Sequence, residues 1–164
     1  ELNPPEDIIV CSFDLNNLKK INDDMGHTYG DDLISGFARI LKETFEKEAV
    51  VGRMGGDEFI VIIRSDDGRI DYETFRKKLQ HVIDEYNHKE SRFKYSVACG
   101  YADSTEAGDN NGNVDARQIY SMADDRMYVH KRKIKEKMKQ EKSHNEQELQ
   151  EKIQKKSIIK TQNN

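Results

Sequence analysis

The chain has 164 residues, 35% of them hydrophobic and 35% charged, with a mean hydropathy of −0.94 and a formal net charge of −4. That length suits one domain, and so lean an apolar content leaves part of the chain outside any core. Residues 131–164 carry 11 Lys/Arg against 5 Asp/Glu, a net of +6, so residues 1–130 stand at −10; an acidic body excludes a general nucleic-acid surface, which needs a basic stripe, but not nucleotides, whose phosphates travel with a cation that carboxylates hold.

Ile8 to Phe13 is a short apolar run rich in β-branched residues and reads as a buried strand that stops at Asp14. Asn16 to Met25 reads as a short helix with Leu18 and Ile21 inward, closed by Gly26 as a C-cap. Gly30-Asp31-Asp32 opens a longer helix, in which Leu33, Phe37, Ile40, Leu41 and Phe45 form one apolar face. Val50-Val51 and Phe59 to Ile63 are strands joined through Gly55-Gly56-Asp57-Glu58, a hairpin because glycine tolerates the positive φ of such turns. Tyr72, Phe75, Leu79, Val82, Ile83 and Tyr86 mark a further amphipathic helix, and Phe93 to Tyr101 a further strand. Residues 103–114, rich in Gly and Asn, form a surface loop. Ile119, Met122, Ala123 and Met127 place a last helix from about Ala116 into the basic tail, with Met127 and Tyr128 read as core.

The order strand, two helices, hairpin, helix, strand, helix gives an α+β fold with helices packed on a mainly antiparallel sheet. The domain spans 1–135, and 136–164 is a polar basic tail, read either as a solvated helix or as a lead-in to a partner or further domain. Cys11 and Cys99 sit in apolar runs and read as buried free thiols, without zinc spacing. No signal peptide and no stretch long enough to cross a bilayer is seen, so the expected location is cytoplasmic. The abrupt start at Glu1-Leu2-Asn3-Pro4-Pro5 suggests a piece of a longer protein.

Three carboxylates draw the chemistry. Asp14 ends a hydrophobic strand, where ligands commonly bind, and Asp57 and Glu58 sit at the hairpin tip. If the hairpin pairs beside the first strand they converge, and a divalent cation relieves their repulsion. All-oxygen ligands favour magnesium or manganese over zinc. The bland alternative makes Asp14 a helix cap and the hairpin acids turn residues. His27, between glycine-containing turns, is open between local hydrogen bonding and a functional role.

The segment Asp14 to Asp31 carries Asp, Lys19, Ile21-Asn22-Asp23, Gly26-His27 and Gly30-Asp31 in order, followed by Gly55-Gly56-Asp57-Glu58-Phe59, Ala123-Asp124, Met127-Tyr128 and Lys131. In these motifs, from about Ile8 to Lys135, the chain resembles the GGDEF diguanylate cyclases. The resemblance implies a five-stranded sheet flanked by helices, nucleotide-cyclase-like with a ferredoxin-like βαβ core. It implies condensation of two GTP into cyclic di-GMP, with two Mg2+ or Mn2+ per site. Asp14, Asp57 and Glu58 would be catalytic and, with the Leu15 carbonyl, would hold metal. Asn22 and Asp31 would recognise guanine. Lys19, Lys131, Lys135 and the backbone at Asn17 and Leu18 would meet the phosphates. Gly55, Gly56 and Phe59 would shape the signature loop. The active species would be a homodimer, transient dimers included, with a flanking sensor or membrane domain in the full-length protein.

Several positions depart from the family pattern. Asn16 replaces a second Asp and Leu18 a Phe. Glu46 and Ala49 stand where an Arg-x-x-Asp product-inhibition site would be, so that site is expected to be absent. The closing Gly-Arg-Asn is missing, with Lys135 near the place of its arginine, and the helix that precedes the first strand in the family is expected to be truncated. Two alternatives remain: a non-catalytic GTP-binding regulatory module on the same fold, and an interaction module working through the basic tail.

Overall fold

The computed structural model describes residues 7–45, 49–65, 72–90, 92–107 and 115–162. The elements are β1 (Asp7–Leu15), α1 (Leu18–Met25), α2 (His27–Phe45), β2 (Ala49–Gly55), β3 (Glu58–Ser65), α3 (Tyr72–Lys89), β4 (Val97–Asp103) and α4 (Ala116–Gln162). The strands form one sheet in the order β2-β3-β1-β4, with every neighbouring pair antiparallel. The α+β expectation holds, with four strands among the described residues where the resemblance implied five.

β1 lies between β3 and β4 and is covered on both faces, which is why it reads as a nearly unbroken apolar run. Ile9, Cys11, Phe13 and Leu15 face a core built with Leu33, Phe37, Ile40, Leu41 and Phe45 of α2 and Leu79, Val82 and Ile83 of α3. Phe37 packs edge-on against Phe13 and Phe59, so α2 is keyed to the two central strands by aromatic contacts. On the other face, Val10 and Ala102 pack with Ile119 and Ala123 of α4. Ser12 and Asp14 share that face, and both are buried.

Element edges shift from the sequence reading. α2 begins at His27, so Gly30 closes its first turn and Asp31 follows, rather than the two opening the helix. Gly26, with φ 97°, ends α1 by donating its N–H to the Asn22 carbonyl at 2.9 Å, so the two helices meet at one residue. β4 begins at Val97; the Asn87 side chain instead holds residue 95 through the Tyr95 N–H and carbonyl, at 2.6 and 2.9 Å. Met127 is buried as expected, but Tyr128 is 60% exposed, because the α4 face that meets the sheet runs through 119, 123 and 127. Residues 108–114 of the expected loop lie outside the described residues.

The chain divides into two units, Glu1–Lys131 and Arg132–Asn164, four residues before the boundary expected from sequence. The second unit is the remainder of α4, laced by i,i+4 pairs such as Lys137–Glu141 and Lys142–Glu146, with Met138 and Leu149 exposed. Cys11 is buried and Cys99 partly so; both are free, and burial pushes both thiols up. Among the described residues no helix is long and apolar enough to cross a membrane.

Candidate active site

The acid end of the site forms where β1 stops. Asp14 pairs with Glu58 of β3 on one side and Ala98 of β4 on the other. Residues directly opposite in an antiparallel pair share a face, with Cβ atoms about 5 Å apart, so Asp14 and Glu58 are neighbours. The Leu15 N–H donates to the Asp57 carbonyl at 2.8 Å, which ties the hairpin tip to the end of β1. The convergence expected of the hairpin and the first strand is therefore present in the backbone. Asp14 is buried, Asp57 half-buried and Glu58 exposed. Among the described residues no three His, Cys, Asp or Glu side chains are arranged to hold a metal ion.

The hairpin is a two-residue turn, Gly56-Asp57, with Gly55 opposite Glu58. Gly56 has φ 54°, a left-handed value that a side chain disfavours. The Arg53 guanidinium donates two hydrogen bonds to the Gly56 carbonyl, at 3.0 and 2.8 Å, and a β-bulge lies between Arg53 and Gly55. Arg53 was not singled out from sequence, since an arginine before a turn looks like any exposed cation.

α4 closes the site from the other side. A Cβ on Gly100 would lie 2.2 Å from the Ala123 carbonyl oxygen and 2.2 Å from the Met127 nitrogen, so the helix backbone rests directly on β4. The Ser12 hydroxyl donates to Asp124 Oδ1 at 3.0 Å, and the Cys99 N–H donates to His130 Nδ1 at 3.0 Å. Two turns beyond Asp124, Lys131 Nζ reaches Asp14 Oδ2 at 2.5 Å. Asp14 Oδ1 is buried without a hydrogen-bond partner among the described residues. The Tyr120 hydroxyl is raised by its burial and then by the charges of Asp124 and Glu58, so α4 brings a further acid toward the hairpin. Ser12, Asp124 and His130 were not assigned roles from sequence; the two polar residues breaking the apolar run of β1 were the available signal.

The residues that the resemblance assigns to guanine are brought together locally. Asn22 lies in α1, and its amide oxygen is buried without a partner among the described residues. A Cβ on Gly30 would lie 1.9 Å from that oxygen, so Gly30 leaves the space that Asn22 occupies. Asp31, exposed, follows directly. The structure thus brings Asn22 beside the residue next to Asp31.

Other expected residues fall as follows. Asn17 adopts φ 69° just before α1 and offers no side-chain cap. Leu18 is partly buried against the core, and Lys19 is exposed in the first turn of α1. Asn16 is tied to Ser96 by both backbone and side chain, at 2.8 and 3.0 Å, so it serves the strand end. His27 is exposed at the start of α2. Phe59 is buried in the core. Lys135 lies in the second unit, on α4. Ala49 begins β2, and Glu46 lies outside the described residues.

These features define an α+β domain whose acids gather at the end of its central strand, against a glycine hairpin and a lysine-bearing helix. The family model "Diguanylate cyclase, GGDEF domain" matches residues 2–137, and the chain belongs to that family. Diguanylate cyclase DgcS of Shewanella oneidensis is 29% identical over 121 residues, covering 74% of this chain and 38% of that protein. Probable diguanylate cyclase DgcJ of Escherichia coli is 32% identical over 127 residues, covering 76% and 23% respectively. The chain therefore spans well under half the length of these relatives. The solved GGDEF domain of Pseudomonas aeruginosa TpbB, also called YfiN, superposes with a TM-score of 0.64 at 26% identity, covering 78% of this chain and 73% of that one.

Proposed function

We propose that this chain is an active diguanylate cyclase domain, joining two GTP into cyclic di-GMP with release of two pyrophosphates. The observation that carries it is the state of Asp14: a buried carboxylate with one oxygen on a cationic side chain, the other orphaned, set opposite Glu58 and beside Asp57. A carboxylate kept that dry calls for positive charge. The donor set is all oxygen, which fits Mg2+ or Mn2+.

Two such ions per site would lower the pKa of the attacking 3′-hydroxyl and neutralise charge at the α-phosphate. Asp14, Asp57 and the Leu15 carbonyl are the residues to hold them, with Glu58 a further ligand or the group nearest the hydroxyl proton. Asn22 and Asp31 accept from guanine, whose N1–H and 2-amine are adjacent donors. Lys19 and Lys131, with the backbone at Asn17 and Leu18, meet the phosphates as point charges and donors. Each subunit holds one GTP, so two must face each other, and a transient homodimer suffices. Because GTP is the substrate, the domain works in the cytoplasm, alone or as part of a membrane-bound sensor. Glu46 and Ala49 stand where the Arg and Asp of a product-inhibition site would be, so feedback through that site is expected to be absent.

The test incubates the protein at high concentration with GTP and Mg2+ and seeks cyclic di-GMP by mass spectrometry. Product is expected, and Asp14→Asn lowers its rate by roughly a thousandfold or more. No product, even with dimers forced by an appended leucine zipper, overturns the reading. GTP binding without turnover would place the chain among regulatory modules instead.

A further inference from the structure

The two oxygens of Asp14 meet different fates. Oδ2 takes the Lys131 ammonium, and Oδ1 takes no donor among the described residues. The Asp14 side chain is 6% exposed and that of Lys131 is 25% exposed. Asp14 is held in place by strand pairing on both sides. Lys131 comes from a helix surface on a flexible four-carbon stem, with a path to solvent that the aspartate lacks. The pair therefore opens by moving the lysine.

We propose that Lys131 is a displaceable counter-ion of Asp14: it occupies the carboxylate in the metal-free chain, yields to a divalent cation, and is then free to take a phosphate. This rests on Asp14 being a cation ligand, as proposed above. An ammonium and a divalent cation at the same carboxylate repel each other, so the cation alone binds against the resident lysine. A triphosphate that offers the lysine a new partner removes that competition. Cation and nucleotide then tighten each other's binding by the same factor.

The test measures Mn2+ binding to the nucleotide-free full chain by electron paramagnetic resonance. Lys131→Met keeps the stem without the charge; it tightens Mn2+ binding by about tenfold, because the cation no longer has to displace a partly buried ion-pair partner. The same variant loses most of the tightening that a non-hydrolysable GTP analogue gives the unsubstituted chain. Lys131→Arg keeps Mn2+ binding weak, and Asp14→Asn abolishes it with either residue at 131. Unchanged or weaker binding in Lys131→Met, with Asp14→Asn still abolishing it, overturns the counter-ion role and leaves Asp14 a ligand. Binding that survives Asp14→Asn overturns the ligand reading and the proposal with it. Acylation of the unsubstituted chain, read by mass spectrometry, does not depend on any variant folding. With Lys137, 78% exposed, as the internal reference, Mg2+ alone raises labelling of Lys131, and added nucleotide lowers it again. Labelling that does not respond to Mg2+ overturns the proposal.

Discussion

The acid end and the base end of the site are built in opposite ways. Asn22, Gly30 and Asp31 lie on two consecutive helices that meet at Gly26, so short-range helix geometry sets their relation. Asp14 and Lys131 are 117 residues apart and meet only because α4 is seated on the far face of the sheet. A site assembled locally survives loosening of the tertiary packing; one assembled across the fold depends on each contact that seats its parts. The base end should thus tolerate damage that silences the acid end.

The strongest way to break that contrast is Gly100→Val. The new side chain meets helix backbone, which cannot move aside as a side-chain tip can. Forcing α4 from β4 lowers the unfolding free energy by about 3 kcal/mol, measured by urea titration. Turnover falls further than GTP binding does, since Lys131 moves with the helix and Asn22 does not. Equal loss of both would show that the base end leans on α4 as well.

Arg53→Ala comes next. Two guanidinium hydrogen bonds to one carbonyl hold the Gly56 turn, and the adjoining Asp57 carbonyl takes the Leu15 N–H. Loosening that tip misplaces Asp57 and Glu58 and lowers kcat by roughly thirtyfold, in line with the cost of ångström-scale misplacement. KM for GTP stays within about twofold, because the proposed base and phosphate contacts lie on α1, α2 and α4 rather than on the hairpin. A KM effect larger than the kcat effect would make Arg53 a substrate contact.

Gly30→Ala sharpens the other side. Its methyl group collides with the far end of the Asn22 side chain, which can swing away. Folding stability changes by less than about 1 kcal/mol, while GTP affinity falls by roughly tenfold through the lost acceptor. Inosine triphosphate, lacking the 2-amine, discriminates the two causes: its affinity falls less if Asn22 reads that group.

The same contrast explains how much could be read from the residues alone. Helical spacing at Leu33, Phe37, Ile40, Leu41 and Phe45 and the apolar run of β1 announced the core, because each pattern depends only on neighbours along the chain. The paired glycines announced the hairpin for the same reason. Gly30 reads as a helix opening, but α2 starts three residues earlier and Gly30 is a close-packing position against Asn22. The contacts of Arg53 and Gly100 leave no mark in the sequence, and Ser12 shows only as a polar break in an apolar run, since each contact is defined by a partner the sequence does not bring near. Asp14 and Lys131 each stand out in the sequence, but their pairing requires the register of β1 and the seat of α4 together.

Ser12→Ala is the smallest expected effect and the finest probe of that seat. Ser12 is buried two residues before Asp14, and its hydroxyl donates to Asp124, two turns before Lys131 on α4. The contact therefore links the two elements that supply the ion pair. Asp124 is half-buried and can turn to water once its donor is gone, so the loss is about 1 kcal/mol of stability rather than the cost of a stranded buried charge. Because Gly100, His130 and the apolar contacts of Ile119 and Ala123 still hold the helix, kcat falls by less than about threefold. A tenfold fall in kcat at near-normal stability would mean that the serine, not the glycine seat, sets where Lys131 ends up.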